Sequence, residues 1–358
     1  MRSTIALGHV VDVSAGQPAP KASEFSDDGV PFIRAGSLDS LLSGGTEADC
    51  EKISEDTAKR NRLRLYPKDT VVFAKSGMSA TLGRVYRLRQ PAYVVSHLAA
   101  LAPTEAYDPA FLMYWLRQNS PAHLIKDAAY PSIRISEIQQ LKVPRLEITD
   151  QRRVAAILDK ADSIRRRREQ ALTIADDFLK SAFVNMYGDP SNNPSLPQAP
   201  LAEVASFVSG ATPSKARPEY WNGSFPWVSP KDMKSDVIND TQDHVSDLAF
   251  SESNLKRIPS GTPLIVVRGM ILVHTVPIAI TSREVAINQD IKAITFDNRV
   301  DPTFGLWCLR VQHENLLSRV DTAAHGTKRL DMERLGSVPI HIPDRKSQIR
   351  FVSLARTF

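Results

Sequence analysis

The sequence predicts an α+β protein in which two similar mixed α/β domains are joined by a long coiled-coil-type helix, followed by a truncated second helix. A stretch without glycine or proline covers residues 150–187, and the segments on its two sides repeat one order of residues. A Pro/Asn/Ser-rich stretch then marks a boundary. The predicted division is a first domain, the long helix, a linker, a second domain and the start of a second helix, at residues 1–148, 149–188, 189–200, 201–342 and 343–358.

The first domain mixes short apolar runs with polar loops. Runs rich in Val, Ile and Phe predict strands at residues 10–13, 31–33 and 70–73. The run PAFLMYWL at residues 109–116 predicts a helix. We therefore expect strands and helices in the same domain, which is the basis for the mixed α/β prediction.

The long helix carries apolar residues every three or four positions, which favours lengthwise packing against another helix. Thr149 or Asp150 is the expected N-cap, and Gly188 is expected to end the helix. At 1.5 Å per residue the helix would be about 57 Å long, more than one domain needs. The heptads alone also fit a helix inside an ordinary core, but its place between similar segments favours a spacer. The predicted partner-packing residues are Val154, Ile157, Leu158, Ala161, Ile164, Leu172, Phe178 and Leu179.

The internal repeat can be followed residue by residue, with offsets that drift only slightly. Leu7, Val10, Gly16 and Lys21 recur 194 positions later, as Leu201, Val204, Gly210 and Lys215. Pro67, Gly77 and Met78 recur 192 positions later, as Pro259, Gly269 and Met270. Ser132, Arg134 and Val143-Pro144 are matched, at an offset of 195, to Thr327, Arg329 and Val338-Pro339. Gln151, Val154 and Ile157 match Gln348, Phe351 and Leu354, so the second copy of the helix is barely begun. This order predicts a duplication.

Charge and composition narrow the class of protein. The net charge of +5 and the pI of about 9.1 favour a polyanionic partner only weakly. A basic block at residues 165–168 fits either a solvated helix face or a phosphate or acidic partner. Cys50 and Cys308 lack metal-ligand spacing. No apolar run approaches the ~20 residues of a membrane span, and the N-terminus lacks a signal-peptide core. We therefore expect a cytoplasmic protein without membrane contact.

The order domain, helix, domain, start of helix resembles the DNA-specificity subunit of type I restriction-modification systems. The motifs that carry this resemblance lie in the second half, at residues 208–214, 219–228, 267–272 and 287–292. The first domain lacks the Tyr-Trp-x-Gly stretch at residues 220–223 and has Ser96-His97-Leu98 where we align Asn288-Gln289-Asp290. Its assignment depends on the register of the repeat. The family pairs two long helices antiparallel, whereas the second one is almost absent here.

The resemblance implies a non-catalytic chain with two target-recognition domains, each reading one half of an asymmetric, bipartite double-stranded DNA target. It implies that the long helix docks methyltransferase (modification) subunits and that restriction subunits join for cleavage. No cofactor is expected on this chain; S-adenosylmethionine, ATP and Mg²⁺ are expected on the partner subunits. Alanines along the helix would allow another helix to approach closely.

Candidate DNA-binding residues are polar or cationic side chains in predicted loops, since base edges and phosphates are contacted by such groups. Each alone also fits an ordinary surface charge, and residues 288–290 also fit a turn. Trp221, Trp227 and Trp307 are expected in the core rather than stacked on bases. The candidates are Lys21, Arg34, Lys75, Ser76, Arg84, Arg134, Lys215, Arg217, Lys231, Lys234, Arg268, Asn288, Gln289, Lys328 and Arg329.

Catalytic motifs are not found in the sequence, and no metal site is predicted. Gly326-Thr327-Lys328 lacks the glycine spacing of a phosphate-binding loop, and His313-Glu314 is not followed by a second histidine at zincin spacing. Asp290-x-Lys292 weakly resembles a magnesium-dependent nuclease motif. Two alternatives therefore stay open: a nuclease acting alone, which would cleave DNA with Mg²⁺, and a non-DNA scaffold, which would lack steeply salt-dependent DNA binding.

Overall fold

The computed structural model describes residues 3–192, 196–322 and 326–357. It divides into two compact units, Met1–Arg168 and Glu169–Phe358, which we call the first unit and the second unit. The long helix contributes its N-terminal half to the first unit and its C-terminal half to the second. Among the helices in the described ranges, none combines the length and apolarity that crossing a membrane requires.

The first unit mixes short strands with helices, as predicted. Its strands are β1 (Thr4–Ala6), β2 (Asp12–Ala15), β3 (Val30–Ile33), β4 (Lys52–Ile53), β5 (Val71–Ala74), β6 (Val85–Arg87), β7 (Tyr93–Val94), β8 (Leu98–Ala102) and β9 (Lys142–Pro144). Its helices are α1 (Ser37–Leu42), α2 (Glu55–Arg60), α3 (Pro109–Gln118), α4 (Ile135–Gln139) and the first half of α5 (Ile148–Tyr187).

The central sheet of the first unit, β2-β8-β5-β6, is antiparallel, and its inner strands β5 and β8 are buried on both faces. Strand β5 has the continuous apolar sequence VVFA, which is typical of a strand without a solvent face. Val71 and Phe73 pack in one core with α3, whereas Val72 and Ala74 point into a second core with β3. The smaller sheet β4-β3-β7 includes the parallel pair β3–β7, and β1 pairs with β9.

The second unit repeats this mixture. Its strands are β10 (Gln198–Pro200), β11 (Ala205–Ser209), β12 (Phe225–Val228), β13 (Val237–Ile238), β14 (Asp243–Val245), β15 (Pro263–Val266), β16 (Ile278–Thr281), β17 (Ala286–Ile287), β18 (Ile291–Phe296), β19 (Asp321–Thr322), β20 (Lys328–Arg329) and β21 (Pro339–His341). Its helices are α6 (Leu201–Val204), α7 (Asp247–Glu252), α8 (Pro302–Val311), α9 (His313–Ser318), α10 (Met332–Gly336) and α11 (Arg345–Ala355).

The two units share one topology. The order β11-β18-β15-β16 repeats β2-β8-β5-β6 and adds β13 at its edge, while β14-β12-β17 repeats β4-β3-β7 with the same parallel pair. Helices α3 and α8 both begin after an aspartate whose side chain accepts a backbone N–H, with proline in the first turn. The predicted fold class is therefore confirmed: similar mixed α/β units share a long helix.

Strand pairing corrects one part of the sequence alignment between the units. Lys142 lies opposite Ala6 in the first unit, and Pro339 lies opposite Pro200 in the second. Lys142 therefore corresponds to Pro339, at an offset of 197, and the offset of 195 that matched Val143-Pro144 to Val338-Pro339 was wrong. Both segments contain a Val-Pro pair, but the two pairs occupy different positions in the strand pairing. The hydrogen-bond register identifies the equivalent residues, because a slip of one residue changes every partner.

The observed start of the long helix and the observed end of the linker each differ from the predicted boundary by a few residues. Helix α5 begins at Ile148, so Thr149 and Asp150 lie in its first turn and neither is the N-cap. The last three residues of the predicted linker form β10, because they pair with β21.

A glutamine near the start of α5 and another near the start of α11 bond each helix to the unit that precedes it in the chain. The buried side chain of Gln151 accepts from the backbone of Asp108 at 2.9 Å and donates to Leu146 O at 2.9 Å. Gln348 makes the equivalent bonds to Asp301 and Pro343 at 2.8 and 2.9 Å. The match of these glutamines in sequence therefore reflects a shared structural role.

Candidate nucleic-acid interface

Two arginines of the second unit are brought together by a backbone bridge. Arg268 follows strand β15 and lies directly across a backbone bridge from Arg329, at the end of β20. The backbone of Leu330 donates to Val267 O at 2.9 Å, which holds the two segments together. Arg329 is ion-paired with Asp331, and both arginines remain exposed. This pairing presents two guanidinium groups on one surface.

The arginines line a concavity of about 170 Å³ with further polar side chains. Gln289 and Lys292 belong to the same lining, over the apolar residues Val267 and Leu330. The ammonium of Lys292 donates to Ser209 Oγ at 2.5 Å. Burial lowers the pKa of Lys292, and the nearby positive charge of Arg268 adds to this effect. Asp331 lies in the same lining and is paired with Arg329, whereas Arg268 and Lys292 disfavour each other's charge, so an anionic or electron-rich ligand would stabilise these two cations.

Lys328 precedes the lining residue Arg329 in the chain, and Gln289 belongs to the lining. Lys328 donates from its ammonium to Thr322 Oγ1 at 2.7 Å and accepts at its carbonyl from Gly269 N at 3.0 Å. The exposed side chain of Gln289 is hydrogen-bonded to the hydroxyl of Thr212. Arg268, Gln289, Lys328 and Arg329 are thus candidates that the fold brings together.

The choice of Asn288 as a DNA-binding candidate is corrected, because this residue is only 5% exposed. Its amide donates to Asp290 Oδ2 at 3.2 Å, and its carbonyl oxygen accepts from the backbone of Asp290 at 3.0 Å. These bonds give it the turn-forming role and leave its side chain inaccessible to DNA. Trp227 and Trp307 are buried in the core, and Trp221 packs edge-on against Trp227 at 5.0 Å between ring centroids.

The other candidates of the second unit lie away from the concavity lining. Arg217 is ion-paired with Glu219 and Glu252, and Lys231 with Asp243 at 2.9 Å. Lys234 lines a different concavity, of about 460 Å³, and Lys215 is exposed. These residues are weaker candidates because none of them lines the concavity that contains Arg268 and Arg329.

The equivalent place in the first unit carries different chemistry. Ser76 occupies the position of Arg268 and lies across a backbone bridge from Ser132. The hydroxyl of Ser76 hydrogen-bonds to His97 Nδ1 at 2.9 Å, and the backbone of Lys75 donates to His97 O at 2.9 Å. Arg134 follows at the start of α4, with its backbone bonded to Glu137 at 3.1 Å. Hydroxyl and imidazole groups thus replace the guanidinium pair of the second unit.

The remaining candidates of the first unit are occupied by local contacts. Arg34 is paired with Glu51 and lies over the ring of Phe25 at 4.9 Å, and Arg84 is paired with Asp39. The backbone of Lys21 donates to Glu24 at 3.0 Å. Within the described ranges, no recorded contact joins Lys21, Arg34 or Arg84 to Ser76.

Lys292, His97 and Ser132 lie at the candidate positions described above, and the sequence prediction did not select them. Lys292 belongs to the motif at residues 287–292 and to the weak nuclease motif, but it was not chosen as a DNA-binding candidate. His97 lies in the loop aligned with residues 288–290, which was a usable signal. Ser132 was matched to Thr327, and only the corrected offset of 197 equates it with Arg329. Among the described residues, no group of three or more His, Cys, Asp or Glu could hold a metal ion.

The predicted partner-packing face of α5 is exposed along most of its length. Its large apolar side chains are between 37% and 61% exposed, and Ala161 is exposed as well; the large ones are Val154, Ile157, Leu158, Ile164, Leu172 and Phe178. The choice of Leu179 as a partner-packing residue is corrected. It is only 6% exposed and belongs to the core of the second unit with Phe183 and Tyr187. Its position on the helix turns it towards its own unit.

Comparison with known proteins identifies the family of this duplicated architecture. The model of the type I restriction modification DNA specificity domain matches residues 3–173 and 198–354, once in each half. The chain belongs to this DNA-specificity family. The family predicted from the sequence is thus confirmed.

Named relatives of the family agree with this assignment. The Type I restriction enzyme EcoR124I/EcoR124II specificity subunit of Escherichia coli is 26% identical over 259 residues, which are 69% of this chain and 62% of the relative. The MjaIX specificity subunit of Methanocaldococcus jannaschii is 29% identical over 137 residues, 37% of this chain and 31% of the relative. The chain therefore spans less than two thirds of these curated relatives.

A solved structure shows the same fold. The type I restriction-modification S subunit from M. genitalium superposes with a TM-score of 0.59 at 15% identity, covering 100% of this chain and 90% of that one. At this identity the likeness concerns the fold alone, so it supports the arrangement of similar α/β units and a long helix.

Proposed function

We propose that this chain is the sequence-specific DNA-binding subunit of a type I restriction-modification complex in the cytoplasm, with residues 1–148 and 201–342 as target-recognition domains. Each domain reads one half of an asymmetric, bipartite DNA target. This chain supplies the sequence specificity. The methyltransferase and restriction subunits catalyse methylation and cleavage and bind S-adenosylmethionine, ATP and Mg²⁺.

One observation carries this proposal: equivalent loops of the duplicated units present different polar groups. The second unit offers Arg268 and Arg329, and the first unit offers Ser76 and Ser132 at the same bridge. Guanidinium groups suit the O6 and N7 acceptors of guanine, whereas hydroxyl groups bond to several base edges. A shared scaffold with different contact groups is what an asymmetric target requires.

Methylation mapping tests the function. DNA is incubated with this chain, its methyltransferase subunits and S-adenosylmethionine, and modified sites are located by methylation-sensitive sequencing. We expect modification at a single bipartite sequence, and none when the chain is omitted. Modification at unrelated sequences, or without this chain, would refute the proposal.

We further propose that the exposed apolar face of α5 docks the methyltransferase subunits. Apolar side chains such as Ile157 and Ile164, 61% and 60% exposed, would be removed from water by such a partner. Ile157→Asp is expected to abolish co-purification with the methyltransferase subunits, because a carboxylate cannot be buried there without a large desolvation cost.

Ala156→Asp is the matched control for this substitution. It introduces the same charge one residue earlier on the same helix, but about 100° around the helix axis. Ala156 is also exposed, so both variants should fold, with unchanged circular dichroism. Equal loss of co-purification in both variants would contradict docking on the face that contains Ile157.

A further inference from the structure

An exposed methionine occupies the same place in each unit. Met78 is 68% exposed and Met270 is 62% exposed. Each follows a glycine with positive φ, 74° at Gly77 and 131° at Gly269, and each begins a short 3-10 helix. The left-handed backbone favours glycine at this turn, and the turn places the methionine at the tip of the loop.

Hydrogen bonds show that the two loops are equivalent. Gly77 N donates to Pro131 O at 2.9 Å, and Gly269 N donates to Lys328 O at 3.0 Å. The acceptor residues immediately precede Ser132 and Arg329, which form the bridges described above. Each methionine is therefore fixed beside the candidate DNA-binding residues of its own unit.

Core packing does not explain why both units keep methionine here. The 3-10 helices are anchored instead by buried residues two positions later, Ala80 and Leu272, which are 2% and 1% exposed. The flanking polar positions differ between the units, with Ser76 in place of Arg268. Methionine and arginine are enriched at protein interfaces, so an exposed methionine beside the candidate DNA-binding residues of each unit is suited to contact a partner.

We propose that Met78 and Met270 each contact the C5-methyl group of a thymine in the half-site that its unit reads. This inference rests on the proposed function and adds a specificity contact to it. The thymine methyl is the apolar group that base edges present in the major groove, where arginine and glutamine read neighbouring bases. The flexible, polarisable methionine side chain adapts to such a group without a preformed pocket.

Replacing thymine by uracil removes only this methyl group and therefore tests the contact. The assembled complex with its methyltransferase subunits is titrated with target duplexes that carry uracil at one thymine position at a time. We expect one position in the second half-site to weaken binding about fourfold, the effect of losing one buried methyl group. In Met270→Ala the thymine duplex should bind as weakly as the uracil duplex, and in Met270→Leu the difference should persist.

Met78→Ala is the matched variant for the first half-site, and Leu248→Ala, 39% exposed on α7, controls for loss of any exposed apolar side chain. A half-site without thymine, an unchanged uracil effect in Met270→Ala, or equal weakening by Met270→Ala on all DNA would overturn the proposal. The last outcome would indicate insertion between base steps instead. Absence of any sequence-specific binding by the wild-type complex would refute the proposed function, which keeps the two failures distinct.

Discussion

Replacing Arg268 and Arg329 together by alanine is expected to remove most of the recognition of the second half-site and to leave the first intact. A bidentate arginine contact to guanine contributes about 1–3 kcal/mol of base discrimination, so the double substitution should lose most of the preference for that half. The two side chains are exposed, and they lie across one backbone bridge. Their removal should therefore affect binding rather than folding.

The measurement compares the assembled complex on duplexes that are altered in one half-site at a time. The variant should lose most of its discrimination between bases in the second half-site, and it should still distinguish changes in the first. Arg299→Ala is the matched control, because Arg299 follows the opposite end of β18 from Lys292 and is paired with Asp297 at 2.7 Å. Equal loss of discrimination at both half-sites would disprove this division of labour.

Phe183→Ala is expected to lower the free energy of unfolding by about 3–5 kcal/mol, the usual cost of removing a fully buried aromatic side chain. Phe183 is 0% exposed, and its ring centroid lies 5.2 Å from Tyr187, 5.2 Å from Phe304 and 4.9 Å from Phe351. These rings join α5, α8 and α11 in the core of the second unit. Alanine would leave a cavity where three helices meet.

Urea unfolding followed by tryptophan fluorescence measures this loss, since Trp307 packs against Phe351 at 5.7 Å. Val184→Ala, the next residue on the same helix, is 42% exposed and should change the midpoint little. If both substitutions had the same small effect, the C-terminal half of α5 would not be fixed by this aromatic cluster.

Much of the fold followed from local pattern. The absence of glycine and proline between residues 150 and 187 predicts the long helix, because helix propensity and apolar period agree over that whole stretch. The apolar run at residues 109–116 predicts α3, which the structure has at Pro109–Gln118 with Asp108 as its N-cap. Spacing along the chain was sufficient to predict two related units.

The candidate site was only partly predictable, because it depends on contacts between segments distant in sequence. Arg268 and Arg329 could be chosen by type, but no local signal showed that β15 and β20 bring them together. Asn288 was chosen by type as well, and its burial follows from the turn that it makes with Asp290. Burial is a property of the assembled unit and cannot be seen in residue type.

By itself the sequence determined the duplication, the long helix and the family, since these depend on residue order, period and composition. The tertiary structure alone decided the register that equates Lys142 with Pro339, the inward direction of Leu179, and the place of Lys292 beside Arg268. The physical reason is that strand register and side-chain burial depend on pairing over long sequence separations. Helix formation depends on hydrogen bonds between neighbours four residues apart.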